Sequence, residues 1–362
     1  MNGEINAHGA DIYDASAKYG FKSDEFLDYS SNINPLGIPP ELKKIFIAGV
    51  DSLVRYPDIR CTSLIDSISE YTGVGREMLV AGNGASEIIF LLMEAIKPKR
   101  LLIPVPTFSE YANAAFRHGC RVEYFEIREE DEFRLDIDGL KSRLEKNVDA
   151  VFLCNPNNPT STLLKRDELL DIVAHARKTG VRVFLDEAFI ELTETPEENT
   201  LCGFAERFEN LFIIRAFTKV FAVPGIRIGY GIGNSTVIGK MRCLNMPWSV
   251  NSLACLVGEF LPVSGRYLSS TSKWLNEEID RFYGALKRFD NIKPFKPSTN
   301  FVLVKILDPS LNAGILRDRM ASKGVLIRNA SNFTNLSDKF VRFAIKDRDN
   351  NDRFLRVLEE SL

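Results

Sequence analysis

Histidine and tryptophan are scarce: the 362 residues include three His and two Trp. The six cysteines, Cys61, Cys120, Cys154, Cys202, Cys243 and Cys255, are scattered and form no CxxC pair. Without clustered His and Cys, a zinc site is not expected, and the thiols read as reduced ones in a cytoplasmic protein. Net charge is also small, −3 at neutral pH, so no field draws the whole chain to nucleic acid or an acidic membrane. Long apolar runs are missing. The densest, Ile88–Met93, is far too short to cross a bilayer, and the opening MNGEINAHGAD has neither the charged nor the apolar region of a signal peptide. Repeats and low-complexity tracts are absent too, and the acidic cluster Arg128–Glu132 reads as a solvated loop. What remains is an ordinary globular composition, 45% hydrophobic and 26% charged, with material for a large core and about two domains.

The middle of the chain alternates short β-rich runs with helical stretches. The runs are Met78–Ala81, Arg100–Val105, Arg121–Ile127, Ala150–Cys154, Val181–Leu185, Leu211–Arg215 and Ile226–Ile232. Several are continuous in Val, Ile, Leu and Phe, as strands buried on both faces should be. Between them, Ser86–Ile96 and Arg166–Lys178 have helical length and spacing. The pattern predicts an α/β fold: a mostly parallel, doubly wound central sheet flanked by helices. After about Leu256 come a long helical stretch through Trp274 and Phe282, short strands at Asn300–Ile306, Val325–Arg328 and Phe340–Ile345, and a last helix over Asp352–Glu360. These read as a smaller α+β domain. The expected division is a large domain over 41–255, with 1–40 and 256–362 forming the small one.

Ligands of open α/β sheets sit beyond the carboxyl ends of the strands. At those ends stand Asn155–Thr160, Asp186 with Glu187, and Thr218 with Lys219; Arg227 begins the next run, and Gly82–Ser86 makes a glycine-rich turn into a helix. Taken singly, each has an ordinary explanation: a turn, a helix cap, a surface lysine. Together they place an amide, an acid, a lysine and an arginine at one crevice beside an anion-binding turn. A desolvated lysine is a nucleophilic amine, a buried acid can hold a pyridinium nitrogen protonated, and a helix start with an arginine can hold a phosphate. Pyridoxal phosphate needs those three things.

The strings NPNNPT (Asn155–Thr160), DEAF (Asp186–Phe189), FTK (Phe217–Lys219) and PGIRIGY (Pro224–Tyr230) resemble those of the fold-type I pyridoxal-phosphate aminotransferases, over nearly the whole chain. The resemblance implies that Lys219 bonds the cofactor, that Asp186 pairs with its ring nitrogen, and that Asn158 bonds its ring hydroxyl. Arg227, Thr218 and the amides of Gly84, Ala85 and Ser86 would hold its phosphate, and Phe108 in PTFSEY would stack on its ring. Tyr56 in RYPD would reach a neighbouring subunit's cofactor phosphate, which implies a homodimer. Within the family two groups compete, histidinol-phosphate aminotransferases and the threonine-phosphate decarboxylases of cobalamin biosynthesis. His8–Gly9, DYSSNINPLG, AGNG, Phe189 where the aminotransferases usually carry tyrosine, and MPWSVN are similar to the decarboxylases. That likeness implies a small phosphorylated amino-acid substrate held by His8, Gly9, Asn32, Asn158, Arg328 and Arg342, with Arg342 on the carboxylate and Arg328 on the phosphate. A non-catalytic effector-binding domain of the same fold is the reading of another class; it predicts a fused DNA-binding segment or a lost lysine, and Lys219 is present. His118, His175 and Glu187 are given no catalytic part. Two departures stand out: Ala216 where a phosphate-binding Ser or Thr is usual, and Ser161 where glycine is usual.

Overall fold

A computed structural model describes Gly9 and residues 11–362. Thirteen strands build it: β1 (Leu27–Asp28), β2 (Leu79–Gly82), β3 (Arg100–Val105), β4 (Arg121–Glu126), β5 (Ala150–Cys154), β6 (Arg182–Asp186), β7 (Leu211–Ala216), β8 (Gly229–Gly233), β9 (Ile292–Pro294), β10 (Phe301–Ile306), β11 (Val325–Leu326), β12 (Arg328–Asn329) and β13 (Phe340–Ala344). The large sheet has seven strands in the order β2-β8-β7-β6-β5-β3-β4. All its pairings are parallel except those of β8, which runs against both β2 and β7.

Strand residues alternate between two apolar layers, which is why the runs carry no polar face. Val151, Leu153, Val183, Leu185 and Ile213 pack with the helices Thr62–Thr72 and Arg166–Lys178. Phe152, Phe184, Phe212 and Ile214 pack with Gly84–Ile96 and Glu110–Arg117 on the other side.

The small lobe is a four-stranded antiparallel sheet, β12-β13-β10-β9, covered by the long helix Gly265–Leu286 and by Arg348–Glu359. Its core holds Trp274, Phe282, Val302, Phe343 and Phe354, and the N-terminal residues Leu27 and Tyr29 belong to it. Tyr29 stacks on Phe354 at 4.2 Å and donates to Asn351 Oδ1 at 2.7 Å; β1 pairs in parallel with β11. The loop after β4 is solvated as its charges suggest, with Arg128, Glu130, Asp131 and Glu132 exposed, and it also touches the small lobe. Glu129 binds Lys305 at 2.7 Å, Glu132 binds Lys293 at 2.7 Å, and Phe133 is buried against Phe295 and Phe340 of the small lobe.

Candidate active site

Between the lobes, at the carboxyl ends of β5, β6 and β7, lies a cavity of about 460 Å³, an ordinary size for a small-molecule site. Gly9, Asn32, Ala85, Ser86, Phe108, Asn158, Asp186, Thr218, Lys219, Arg227, Arg328 and Arg342 all line it. Gly84 sits just behind the wall. Tyr56 lies elsewhere: it is 81% exposed and packs on Trp248 at 4.8 Å. His8 falls outside the described residues.

The sheet register explains the assembly. Asp186 ends β6, and Lys219 follows β7 in the short helix Phe217–Val220, so two adjacent parallel strands present acid and amine side by side. Asp186 is buried. Its Oδ2 accepts from Tyr111 Oη at 2.7 Å and its Oδ1 from the Ala188 amide at 2.8 Å. Burial pushes the carboxyl up, and those two donors oppose the push. Burial, then Arg342 and Arg227, pull the Lys219 ammonium down to about 8, against the pull of Asp28. About a tenth of the amine is therefore neutral at pH 7, far more than in an ordinary lysine, while the rest stays protonated.

The turn Asn155–Thr162 is pinned before it reaches the cavity. Asn155 clamps Leu164 through its main-chain N–H (2.7 Å) and carbonyl (3.1 Å). Asn157 donates to Pro106 O at 2.9 Å and accepts from Thr107 at 2.8 Å. Asn158 is then left to point inward, where its Oδ1 accepts from Arg342 Nη1. Arg342 also donates to Ser30 O at 2.9 Å, and Arg328 donates to Asn332 Oδ1 at 2.6 Å with its guanidinium 5.3 Å from the Phe333 ring. Burial lowers both guanidiniums, Arg328 to about 10 and Arg342 to about 9, which leaves both cationic at neutral pH. No carboxylate forms a salt bridge with either one among the described residues. Gly9 runs so close to β1's continuation that a Cβ would stand 2.4 Å from Ser30 O.

Pyridoxal phosphate fits these residues on three structural points. Gly84 has φ +79, and a Cβ there would stand 2.6 Å from Arg227 Nη2; one on Gly229 would stand 2.5 Å from the Ala85 amide. The start of the helix Gly84–Ile96 thus offers bare first-turn N–H groups beside Arg227 and Thr218, a phosphate cradle. Asp186 is a buried carboxylate with no salt-bridging cation among the described residues, which a protonated ring nitrogen would supply. Asn32 Oδ1, buried at the cavity, has no partner among the described residues. Ala216 lines the cavity without a hydroxyl, and Thr218 and Ser86 bring side-chain hydroxyls to the same cavity.

Ser161 takes φ +62, the left-handed conformation that glycine adopts without penalty. Its Oγ accepts from the amides of Ser298 (3.0 Å) and Thr299 (3.2 Å), which offsets a backbone cost of about 1–2 kcal/mol. The residue that sequence reasoning passed over is Tyr111. It stands three positions after Phe108 in PTFSEY, at the start of the helix Glu110–Arg117, and only the fold shows that its hydroxyl meets Asp186.

Residues 24–358 match the aminotransferase class I and II family. The chain belongs to that family. Threonine-phosphate decarboxylase of Salmonella typhimurium is 34% identical, over 99% of this chain and 97% of its own length. The crystal structure of the histidinol-phosphate aminotransferase from Clostridium acetobutylicum is 36% identical with a TM-score of 0.86, covering 92% of this chain and 98% of that one. That of L-threonine-O-3-phosphate decarboxylase from Porphyromonas gingivalis is 25% identical with a TM-score of 0.82, covering 92% and 98%. No cluster of His, Cys, Asp and Glu among the described residues could hold a metal ion, and no helix among them is long and apolar enough to cross a membrane.

Proposed function

We propose that the protein is a pyridoxal-phosphate-dependent decarboxylase that converts L-threonine O-3-phosphate to (R)-1-aminopropan-2-yl phosphate for cobalamin biosynthesis in the cytoplasm. The observation that carries this reading is the pair of buried guanidiniums, Arg328 and Arg342, in the cavity that holds Lys219 and Asp186, neither in a salt bridge with a carboxylate among the described residues. A substrate with a carboxylate at one end and a phosphate at the other neutralises both at once. Arg342, the nearer guanidinium to Lys219 in electrostatic terms, takes the carboxylate; Arg328, toward Gly9 and Asn332, takes the phosphate.

Bound pyridoxal phosphate would supply the electron sink for the pair left when a bond at the substrate's α-carbon breaks. Lys219 would bond it, Asp186 would keep its ring nitrogen protonated, Asn158 would meet its ring hydroxyl, and Thr218, Arg227 and the Gly84–Ser86 amides would hold its phosphate. The protein's own task is orientation. Two fixed guanidiniums holding carboxylate and phosphate would set which α-carbon bond is aligned to break. That bond would be the one to the carboxylate, which would leave as carbon dioxide, and the Lys219 ammonium would supply the proton that the α-carbon then needs.

Histidinol-phosphate aminotransferase activity is the second reading, favoured by the 36% identical Clostridium structure. One preparation assayed with both substrates separates the two. Carbon dioxide and aminopropanol phosphate from threonine phosphate, with no need of a 2-oxo acid, are expected. Consumption of histidinol phosphate with 2-oxoglutarate, while threonine phosphate is ignored, overturns the decarboxylase reading.

The working unit we propose is a homodimer. Ile47, Val54, Tyr56, Ile59, Met246 and Trp248 are exposed apolar side chains, a surface composition that marks an interface. A second copy seated there would bring Tyr56 toward the partner's phosphate cradle. Sedimentation at micromolar concentration should give twice the chain mass; a monomer there refutes it.

A further inference from the structure

We propose that Ser161 is a positioning residue: it clasps the small lobe to the turn that carries Asn158 and so sets where Arg342 holds the substrate anion. The inference rests on the functional reading above for the identity of that anion. Its geometry stands on the structure.

The turn Asn155–Thr162 has two anchored flanks. Asn155 and Asn157 tie one flank to the large lobe through Leu164, Pro106 and Thr107. Ser161 ties the other flank to the small lobe. Its Oγ accepts from the Ser298 and Thr299 amides, and its carbonyl accepts from Ser298 as well, at 3.1 Å. Ser161 and Thr299 are fully buried, so water does not substitute for a lost acceptor there. Glycine would adopt φ +62 more easily and would keep the carbonyl bond, but it would not supply Oγ. The side chain is retained against its own backbone preference.

Contacts run onward from this clasp in a closed ring. Thr299 leads into β10, and β10 pairs with β13, where Leu303 faces Arg342. Arg342 donates to Asn158 Oδ1 and to Ser30 O. Asn158 lies three residues before Ser161 in the pinned turn. Moving the small lobe relative to the turn therefore moves Arg342 relative to Asn158. Ser161 does not line the cavity; it acts through that pair.

The test uses the holoenzyme and two variants that both lack Oγ. Ser161→Ala keeps the backbone penalty, and Ser161→Gly removes it. KM should rise about five- to tenfold in both variants, as the loss of a buried two-donor acceptor implies. Tm should be higher for Ser161→Gly than for Ser161→Ala. In an Arg342→Ala background, Ser161→Ala should change KM by less than about twofold, because the residue through which it acts is gone. Wild-type KM and kcat in both single variants, with only Tm altered, overturns the proposal. So does a Ser161→Ala effect that persists in full without Arg342. The functional reading is judged separately, by the wild type's carbon dioxide release. The clasp is judged by the variant-to-wild-type ratio on whichever of threonine phosphate or histidinol phosphate the wild type consumes.

Discussion

Removing one oxygen, in Tyr111→Phe, tests whether the charge on Asp186 limits turnover. Tyr111 is fully buried, its ring is stacked on Phe152 at 3.9 Å and 14°, and its hydroxyl is 2.7 Å from Asp186 Oδ2. Phenylalanine keeps the stack and the volume, so Tm should stay within about 3 °C of wild type. The carboxylate loses one of the two donors that oppose its burial. A hydrogen bond to a charged group contributes about 1.5–3 kcal/mol. Expressed fully in the chemical step, that is about a 10- to 150-fold loss of kcat. The sign for pH follows from the same bond. The hydroxyl favours the ionised carboxylate, so its loss raises the Asp186 pKa further, and the acid limb of the rate profile moves to higher pH. The assay is carbon dioxide release from saturating threonine phosphate across the pH range, with Tm recorded on the same samples. A kcat within about twofold of wild type, with the acid limb in place, refutes the claim that Asp186 must stay ionised.

Asp186→Asn should fold normally and lose on the order of 10²–10⁴-fold in kcat; near-normal turnover shows that another group governs the ring nitrogen. The Lys219 amine, lowered to about 8, is the free base above that pH, so reaction of the cofactor-free protein with unphosphorylated pyridoxal should rise through pH 8; a midpoint near the ordinary lysine value, about 10, contradicts the electrostatics. Behind the sheet, Arg215 lies 2.5 Å from Glu191 and 3.9 Å from Glu187, all three buried. Arg215→Met strands two carboxylates there and should cost about 3–5 kcal/mol, seen as a large fall in Tm; an unchanged Tm means that those acids are protonated in the fold.

The buried strands were readable because local composition decides them. Arg100–Val105 and Ala150–Cys154 appear with the bounds that their apolar runs mark. The strand expected from Ile226 begins only at Gly229, since Pro224–Ile226 forms a 3₁₀ turn and Arg227 adopts φ +59. Its reversed direction was not readable, because an apolar run looks the same in either sense. The last helix begins at Arg348 rather than Asp352; Asp347 caps it through the Asn350 amide, a local signal that was present but unused. Motif residues such as Asp186 and Lys219 could be named from their strings. Tyr111 as the partner of Asp186, 75 residues away, and Glu129 as the partner of Lys305 could not, since only tertiary structure brings them together.

Pairing Leu27 with Val325 has a consequence for how the protein is made. As the chain leaves the ribosome, the large sheet can complete itself once β8 has emerged, but β1 must wait until about 300 residues beyond itself have been made before its neighbour exists. Ser30, which receives Arg342, waits with it. Nascent or C-terminally truncated chains would therefore hold a finished cofactor cradle facing an unfinished substrate pocket, and the reaction can start only after both ends of the polypeptide have met.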